Sequence, residues 1–298
     1  MALAKIIVDR MLELLPEAGA VDTGVPGLVL VRSDQVMTER KPIVYDPSIY
    51  IVAQGCKCAH LGDEVFTYDA LHYLVLSVPL PLECQVLKAS EDEPYLAIKV
   101  DIDLRLLNDL IHELPAMEMS REAVAKVGRG IYVSSVDDDI RNTLTRLLAC
   151  VSSPDKAKVL GPMAVKELLF HVLLGEQGDQ LKAFAYRDRH NFQIAEVLNY
   201  IQQNYANALE VDGLAQLANM SQSSFHQYFK AVTNVTPIQY IKTMRLHEAR
   251  RKMLHDNQSA SDAAFQVGYA SPSQFSREYR RLFGAAPTKD MEMARQAS

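Results

Sequence analysis

The sequence predicts an α+β protein in which a β-rich N-terminal region precedes an all-α C-terminal region. Short β-rich runs separated by turn residues occupy residues 24 to 100, and helical periodicity takes over from residue 103. The last third of the chain contains an internal repeat with an offset of fifty residues. Since 298 residues are enough for two domains, we expect an N-terminal domain at 1–185 and a C-terminal domain at 186–298.

Seven predicted strands lie in the β-rich region. They span 27–31, 48–52, 57–61, 64–68, 73–77, 84–87 and 95–100. Short strands at close spacing, bounded by Gly, Pro, Asp and Asn, are typical of an antiparallel barrel or sandwich. We therefore expect a β-barrel at about residues 20–100.

Helices are predicted to flank this barrel at about residues 103–180. Apolar residues recur at helical spacing in 103–114, 138–150 and 162–174. Antiparallel helices of this kind commonly provide a dimer face, so we expect the chain to form a homodimer through them.

The internal repeat predicts two helix-turn-helix units. Residues 221–230 reappear as 271–280, with apolar positions and caps in register. Asn219 and Gly268, which tolerate a left-handed backbone, mark the two turns. Ser221 and Ser271 are expected to cap the second helix of each unit. For the first helices we expect Asp212 and Asp262 to be the N-caps.

The second helix of each unit has one apolar and one polar face. Phe225 and Phe229 belong to the apolar stripe of the first copy, and Phe275 and Tyr279 to that of the second. The side chains expected on the outward faces are Ser223, His226, Gln227, Lys230, Ser273, Ser276, Arg277 and Arg280. Major-groove readout uses these residue types, because base edges offer hydrogen-bond donors and acceptors and phosphates attract cations. The alternative is a solvated helix face. Two copies in the same register favour DNA contact over this alternative.

A single helix is predicted between the two units, at residues 237–255. Roughly 18 residues give about 27 Å at the α-helical rise, against the roughly 34 Å between successive major grooves on one face of DNA. Such a spacer would place two reading helices in adjacent grooves. Its cations are predicted to reach phosphates or to form a solvated face; they are Lys242, Arg245, Arg250, Arg251 and Lys252.

Charge and composition agree with a DNA-binding protein that resides in the cytoplasm. Residues 191–298 hold 11 Lys and Arg against 9 Asp and Glu, net +2, whereas residues 1–190 hold 20 against 28, net −8. No stretch reaches 18 apolar residues, and residues 1–15 carry charges that an export signal lacks. The four cysteines are expected to be reduced.

Residues 190–295 resemble the DNA-binding domain of the AraC family of bacterial transcription regulators. The resemblance is carried by both repeats and the helix between them, including Ala215, Phe229, Pro237, Gly268 and Pro287. It implies seven helices with two helix-turn-helix units, double-stranded DNA as partner, and RNA polymerase as a further partner. Asn234 stands where the family usually has Gly after the first reading helix.

A second resemblance covers about residues 20–180. The segments 52–57, 61–66 and 73–81 resemble a cupin-like β-barrel found at the N-terminus of AraC-like regulators. This implies a small-molecule effector in the barrel and dimerisation through the flanking helices. Candidate effector contacts are Tyr45, Tyr50, His60, His72 and Tyr73. The alternative for these residues is core packing.

A metal or catalytic site in the barrel is the competing hypothesis. Cupin metal sites use a His-x-His pair, which is absent from the sequence. Cys56, Cys58 and His60 alternate, so a strand would place them on one face, where thiolates and imidazole suit zinc or copper; the alternative is core packing of the thiols. We expect no metal, cofactor or catalytic residue. The runner-up functions are a metal-binding or catalytic cupin fused to a DNA-targeting module and a regulator that needs no effector.

Overall fold

The computed structural model describes residues 2–70, 72–113, 128–185 and 190–296. Strands β1 to β10 span Gly19–Asp22, Leu28–Ser33, Lys41–Tyr45, Ser48–Gln54, Cys56–Leu61, Glu64–Asp69, His72–Leu76, Leu80–Lys88, Tyr95–Asp101 and Ile131–Ser135. Helices α1 to α6 span Ala2–Leu14, Leu104–Glu113, Asp138–Val151, Pro154–Val159, Gly161–Leu174 and Gly178–Lys182. Helices α7 to α13 span His190–Asn204, Val211–Leu217, Gln222–Thr233, Pro237–His255, Ala260–Gln266, Pro272–Phe283 and Pro287–Gln296. The predicted α+β class is confirmed.

Two antiparallel sheets build the N-terminal barrel. One has the strand order β1-β2-β9-β4-β7-β10, and the other has the order β3-β8-β5-β6. Because side chains alternate across a strand, each sheet has an inner and an outer face. Tyr50 of β4 and Ala59 of β5 lie in one buried cluster between the sheets, whereas Ile49 lies in a different cluster on the other side of β4.

The outer face of the six-stranded sheet is covered by helices. Ile49, Val75 and Ile98 lie in one buried cluster with Leu147 of α3 and Leu168 of α5. Burying the apolar face of a sheet under amphipathic helices removes both surfaces from water. The predicted flanking helices at 138–150 and 162–174 are confirmed by α3 and α5. The predicted helix at 103–114 is observed as α2, and Leu114 lies outside the described residues.

The barrel interior shares its core with the first helix-turn-helix unit. Leu80 and Ile131 from the sheets belong to one buried cluster with Phe225, Phe229 and Tyr240 from the helices. The second unit has a separate cluster that includes Phe275 and Tyr279. The first unit therefore shares the core of the barrel, whereas the second has a separate core and contacts the barrel through β3.

Three observed strands were not predicted from the sequence, and the first of them, β1, is an edge strand that pairs with β2. β10 lies in a region predicted to be helical, and it forms by pairing with β7. β3 contains Pro42 and is an edge strand bonded only to β8 within its sheet. Proline is tolerated on an edge because no second neighbour needs its missing N–H group. β3 and β10 depend on distant partners, which local sequence patterns do not reveal.

Candidate DNA-binding interface

The first helix-turn-helix unit is formed by α8 and α9. Its turn residue Asn219 has a φ of 53°, the left-handed conformation expected for an Asn at this position. Ser221 is the N-cap of α9, and its Oγ accepts a hydrogen bond from the Ser224 amide at 3.3 Å. At the other end Asn234 has a φ of 61°, so it fulfils the role of the usual glycine.

The second unit, formed by α11 and α12, repeats this design. Gly268 has a φ of 90° in the turn, and a Cβ there would lie 2.6 Å from the Ala206 carbonyl oxygen. Ser271 caps α12 by accepting a hydrogen bond from the Gln274 amide at 3.4 Å. Pro272 occupies the first helical position, where its missing N–H group is harmless.

The predicted N-caps of the first helices are wrong in both units. Ser259 caps α11, and its Oγ accepts a hydrogen bond from the Asp262 amide at 3.1 Å. Asp262 therefore lies in the first turn, where its carboxylate accepts a hydrogen bond from Ser259 Oγ at 2.7 Å. In the first unit Glu210 is the N-cap residue, and Asp212 lies inside α8. An acidic residue in the first turn also stabilises a helix, because its charge interacts favourably with the helix dipole. This explains why Asp212 and Asp262 lie near the helix starts although neither is the N-cap.

The apolar stripes of the two reading helices, α9 and α12, are buried as predicted. Phe225, Phe229, Phe275 and Tyr279 have no exposed surface. Consecutive members pack with tilted rings, whose centroids are 5.4 Å apart in both Phe225–Phe229 and Phe275–Tyr279. The rigid packing fixes which faces of α9 and α12 point to solvent.

Seven of the eight predicted DNA-contacting residues are exposed. They are Ser223, His226, Gln227, Lys230, Ser273, Arg277 and Arg280. Ser276 is half-buried. The structure thus places hydroxyl, amide, imidazole and cationic groups on the outward face of each reading helix. These groups can donate to and accept from base edges and can neutralise phosphates.

The linker helix α10 joins the two helix-turn-helix units as one uninterrupted helix. It begins with a complete capping box, in which the Thr236 side chain accepts from the Gln239 amide and Gln239 accepts from the Thr236 amide. Its 19 residues match the predicted span of 237–255.

Most cations of α10 have intramolecular partners. Lys242 pairs with Glu278 at 2.9 Å, and Arg250 pairs with Asp290 at 2.7 Å. Arg245 donates to the carbonyl oxygens of Tyr205 and Asn207. Arg251 is an exposed cation bonded to Glu248 within the helix. Lys242, Arg245 and Arg250 bind neighbouring helices or loops of the same chain. Their side chains are therefore less available to contact phosphates than the prediction assumed.

Carboxylates on α12 and α13 receive several donors at the junction with α10. Glu278 accepts from Tyr269 at 2.8 Å and from Gln274 at 3.1 Å, in addition to Lys242. Burial alone would raise the pKa of Glu278, but these donors lower it. Asp290 likewise accepts from Tyr279 at 2.6 Å, and the hydrogen bonds outweigh burial to lower its pKa. The second reading helix is therefore rigidly attached to α10.

The C-terminal end of α9 is bonded to the barrel. Arg129 donates to the Lys230 carbonyl at 3.0 Å and to the Ala231 carbonyl at 2.7 Å, and it pairs with Glu64 at 2.9 Å. The Gly130 amide donates to the Val232 carbonyl at 3.1 Å. The last carbonyls of a helix have no partner within it, and a cation there is favourable to the helix dipole. The segment before β10 therefore adds partners for the last carbonyls of α9, beyond the C-cap Asn234.

Two further hydrogen bonds join the same units. Asn234 Nδ2 donates to the Leu61 carbonyl at 2.7 Å, and the buried Tyr240 hydroxyl donates to the Pro79 carbonyl at 2.9 Å. Gly62 lies close by, and a Cβ there would come within 2.8 Å of Asn234 Nδ2. We call the contacts of Arg129, Gly130, Asn234 and Tyr240 the docking contacts.

The five predicted effector residues do not share one site. Tyr45 and Tyr50 point into the barrel, with ring centroids 5.0 Å apart. Tyr73 is buried on the outer face of its sheet, in the cluster with the flanking helices. His72 lies at the start of β7 and bonds Asp69 at 2.9 Å. Tyr73 is therefore separated from Tyr45, because Tyr73 lies on the outward face of β7, whereas the next residue, Leu74, faces the barrel interior.

His60 belongs to the outer face of the four-stranded sheet. Its Nε2 lies 3.1 Å from Gln85 Oε1 and 3.4 Å from Cys58 Sγ. Among the residues that the structure describes, no group of three or more His, Cys, Asp or Glu is arranged to hold a metal ion. Cys58 and His60 are close together as the alternation predicts, but they are buried side chains bonded to Gln85.

Sequence reasoning missed Lys57 as a residue of the barrel interior. Its Nζ donates to the Tyr45 hydroxyl at 2.9 Å. The signal was present, because Lys57 alternates with Ala59 and Leu61 on the inward face of β5.

No helix in the described part of the chain is long and apolar enough to cross a membrane.

Comparison with known proteins identifies both halves of the chain. A model of the AraC-type transcriptional regulator N-terminus matches residues 24–180, and a model of a helix-turn-helix domain matches residues 214–293. The HTH-type transcriptional activator RhaS of Yersinia pestis is 26% identical over 248 residues, which cover 82% of this chain and 80% of RhaS. RhaS of Yersinia pseudotuberculosis matches with the same identity and coverage.

A solved structure has the same overall fold. The apo form of a ToxT variant from Vibrio cholerae aligns with a TM-score of 0.59 and 12% identity, covering 91% of this chain and 99% of ToxT. The first family model spans more than half of this chain, and the double helix-turn-helix follows it in the expected order. The chain therefore belongs to the AraC family, as a DNA-binding transcription regulator and not an enzyme.

Proposed function

We propose that this regulator recognises a specific operator by inserting α9 and α12 into two successive major grooves of double-stranded DNA. The main support is that α9 and α12 expose polar and cationic side chains at equivalent positions. One continuous helix, α10, joins the two units. The proposed contacts are Ser223, His226, Gln227, Lys230, Ser273, Ser276, Arg277 and Arg280.

Two of these residues have distinct proposed roles. Arg277 lies in the middle of α12 on its exposed face, where a guanidinium is able to donate two hydrogen bonds to a guanine edge. Lys230 lies in the last turn of α9 and is proposed to contact a phosphate. Base contacts carry sequence information, whereas phosphate contacts provide affinity for all sequences alike.

Control by a small effector in the barrel is the second part of the proposal. It is supported by the docking contacts, since a change inside the barrel has a direct route to the end of α9. A ligand shifts the orientation of α9 only to the extent that it binds one arrangement more tightly than another. RNA polymerase is the partner through which such a change would alter transcription, and the cytoplasm is the proposed location.

A homodimer is proposed to form through the helical layer. Val159 at the end of α4 and Met163 in α5 are 63% and 65% exposed, and Leu160 between them is 46% exposed. A contiguous apolar patch of this kind is typical of a protein interface. Two copies would raise the affinity for paired operators through effective concentration.

Operator selection followed by titration of variants tests the DNA-reading proposal. Arg277→Ala is expected to cost about 1 to 3 kcal/mol on the selected operator and to relax the preference at one or two base pairs. Lys230→Ala is expected to weaken all sequences similarly and to reduce the salt dependence. Lys88→Ala removes an exposed cation from the end of β8 and is the control. Direct readout by α12 is refuted if Arg277→Ala retains the full sequence preference.

A further inference from the structure

A glutamine in the first turn of the second reading helix is held by a carboxylate one turn further along. Gln274 is exposed and occupies the third position of α12, which begins at Pro272. Its Nε2 donates a hydrogen bond to Glu278 Oε1 at 3.1 Å. Residues four apart are neighbours on a helix surface, so both side chains lie on one flank of α12. Gln274 is not among the eight DNA contacts proposed above.

Glu278 is itself fixed by two further donors. Lys242 Nζ of α10 donates to the same Oε1 at 2.9 Å, and the Tyr269 hydroxyl donates to Oε2 at 2.8 Å. Burial raises the pKa of Glu278, but the hydrogen bonds from its three donors together lower it below its usual value. The carboxylate is therefore ionised at neutral pH, and an ionised carboxylate only accepts hydrogen bonds.

The negative charge of Glu278 determines how the Gln274 amide is turned. A carboxamide has a donating NH₂ end and an accepting oxygen end. The oxygen end would be repelled by the carboxylate, so the NH₂ end has to face Glu278. One N–H of Gln274 is used in this hydrogen bond. Its second N–H and its Oε1 remain on a side chain that is exposed to solvent.

The remaining donor and acceptor of Gln274 match one base. In the major groove adenine presents an acceptor, N7, beside a donor, the N6 amino group. Guanine presents two acceptors, cytosine presents a donor, and thymine presents an acceptor beside a methyl group. A side chain that offers one N–H and one carbonyl oxygen can therefore form two hydrogen bonds with adenine, but not with the other three bases.

We propose that Gln274 reads an adenine in the operator and that Glu278 is a positioning residue, which holds the Gln274 amide in the orientation for this contact. The inference rests on the proposed function, in which α12 enters a major groove. Gln274 lies three residues before Arg277, about 4.5 Å along the helix axis, and successive base pairs are about 3.4 Å apart. The adenine is therefore expected one or two base pairs from the guanine that Arg277 is proposed to read.

The first helix-turn-helix unit has different residues at these two positions. With the offset of fifty residues, Ser224 corresponds to Gln274 and Tyr228 corresponds to Glu278. The Ser224 amide is bonded to the N-cap Ser221, and the Tyr228 ring stacks on His190 with centroids 4.0 Å apart. An amide oriented by a carboxylate is therefore a feature of α12 and not of α9. Only the half-site bound by α12 should require the adenine.

Operator selection with the full-length protein, followed by titration of single base-pair variants, tests the base contact. The parent protein is expected to prefer adenine roughly tenfold over the other bases at one position. This position should lie within two base pairs of the one where Arg277→Ala loses its preference. Gln274→Ala should bind all four variants of the adenine position alike and keep the guanine preference. Gln203→Ala, which removes an exposed glutamine from α7, is the matched control and should keep both preferences.

The base contact is overturned if the parent protein has no adenine preference within two base pairs of the guanine, or if Gln274→Ala retains it. Gln274→Glu provides an independent test. Its carboxylate only accepts hydrogen bonds, so the preference should move from adenine to cytosine, whose N4 amino group donates. A Gln274→Glu variant that still prefers adenine would also overturn the contact.

Glu278→Gln tests the positioning role. A glutamine at 278 both donates and accepts, so it no longer dictates which end of the Gln274 amide faces it. The adenine preference should fall several-fold, whereas the guanine preference that depends on Arg277 should stay. A residue that merely supports the fold would affect both preferences together. The positioning role is overturned if both preferences fall equally, if neither falls, or if thermal melting shows that the variant has lost the second unit.

The same titrations separate this inference from the proposed function. A guanine preference that depends on Arg277, without an adenine preference that depends on Gln274, would overturn only the inference. Failure of the parent protein to select any operator would overturn the DNA-reading proposal and this inference with it.

Discussion

Replacing Arg129 by Met should release the first reading helix from the barrel. The side chain donates two hydrogen bonds to the last turn of α9 and pairs with Glu64. Hydrogen bonds from a charged group contribute about 1.5 to 3 kcal/mol each when buried. Arg129 and Glu64 are 31% and 41% exposed, so the ion pair itself adds at most about 1 kcal/mol. After discounting for this exposure, we expect a loss of about 3 kcal/mol in docking free energy.

Hydrogen exchange measures this loss at a defined position. The Gly130 amide is bonded to the Val232 carbonyl across the junction, so it exchanges only when the docking contacts open. A loss of about 3 kcal/mol corresponds to a roughly hundredfold faster exchange. The Gly284 amide, which bonds the Arg280 carbonyl inside the second unit, should be unaffected.

A matched variant controls for the loss of a surface cation. Arg146→Met removes a half-exposed arginine that pairs with Glu167 inside the helical layer. It should leave the exchange of Gly130 unchanged. If Arg129→Met also leaves that exchange unchanged, the junction is held by its apolar contacts alone and our assignment of the docking contacts is wrong.

Three further predictions concern the core, a partly buried histidine and the proposed dimer. Phe275→Ala should cost about 3 to 5 kcal/mol and unfold the second unit while the first keeps its exchange protection, since the two have separate cores; loss of DNA binding with unchanged melting would contradict the buried assignment. Burial and the nearby Arg250 lower the pKa of His247 from 6.5 to about 4. Between these two pH values the unfolded chain binds a proton at His247, whereas the folded chain does not. Stability should be level above pH 6.5 and fall by about 3 kcal/mol between pH 6.5 and 4, and chemical denaturation of His247→Gln should lack this component. Met163→Glu should give a monomer in sedimentation experiments with the parent circular dichroism spectrum, and a dimer that persists would exclude this patch.

The helix-turn-helix units could be predicted closely because their signals are local. The positive φ values of Asn219, Asn234 and Gly268 and the serine caps each depend on a few neighbouring residues. The first-helix caps were harder, because Ser259 and Asp262 both lie near the helix start and both favour it. The spacing alone does not show which of the two is the cap.

The barrel was less predictable because its strands and its interior depend on distant pairing. β10 is a strand only through its contact with β7, which lies more than fifty residues earlier in the chain. The inward face of each strand is fixed by its register, so residue type alone does not distinguish Tyr45, which faces the interior, from Tyr73, which faces outward. Residue type does not identify Lys57 as an interior residue either, since a lysine is usually expected at the surface. The docking contacts are not periodic and left no signal in the sequence.

The two reading helices differ in how they are held, and this difference suggests how the barrel acts on DNA. The barrel touches the end of α9 directly, whereas α12 is tied to α10 through the pairs Lys242–Glu278 and Arg250–Asp290. Because α10 is one continuous helix with a complete capping box, a rotation of α9 against the barrel would move α12 along with it. The barrel also contacts α10 and α12 through β3, so both helix-turn-helix units have a direct junction with it. Strand β5 contributes Ala59 and Leu61 to the barrel interior, and the Leu61 carbonyl accepts the hydrogen bond from Asn234, so a change inside the barrel would reach the end of α9 through this strand.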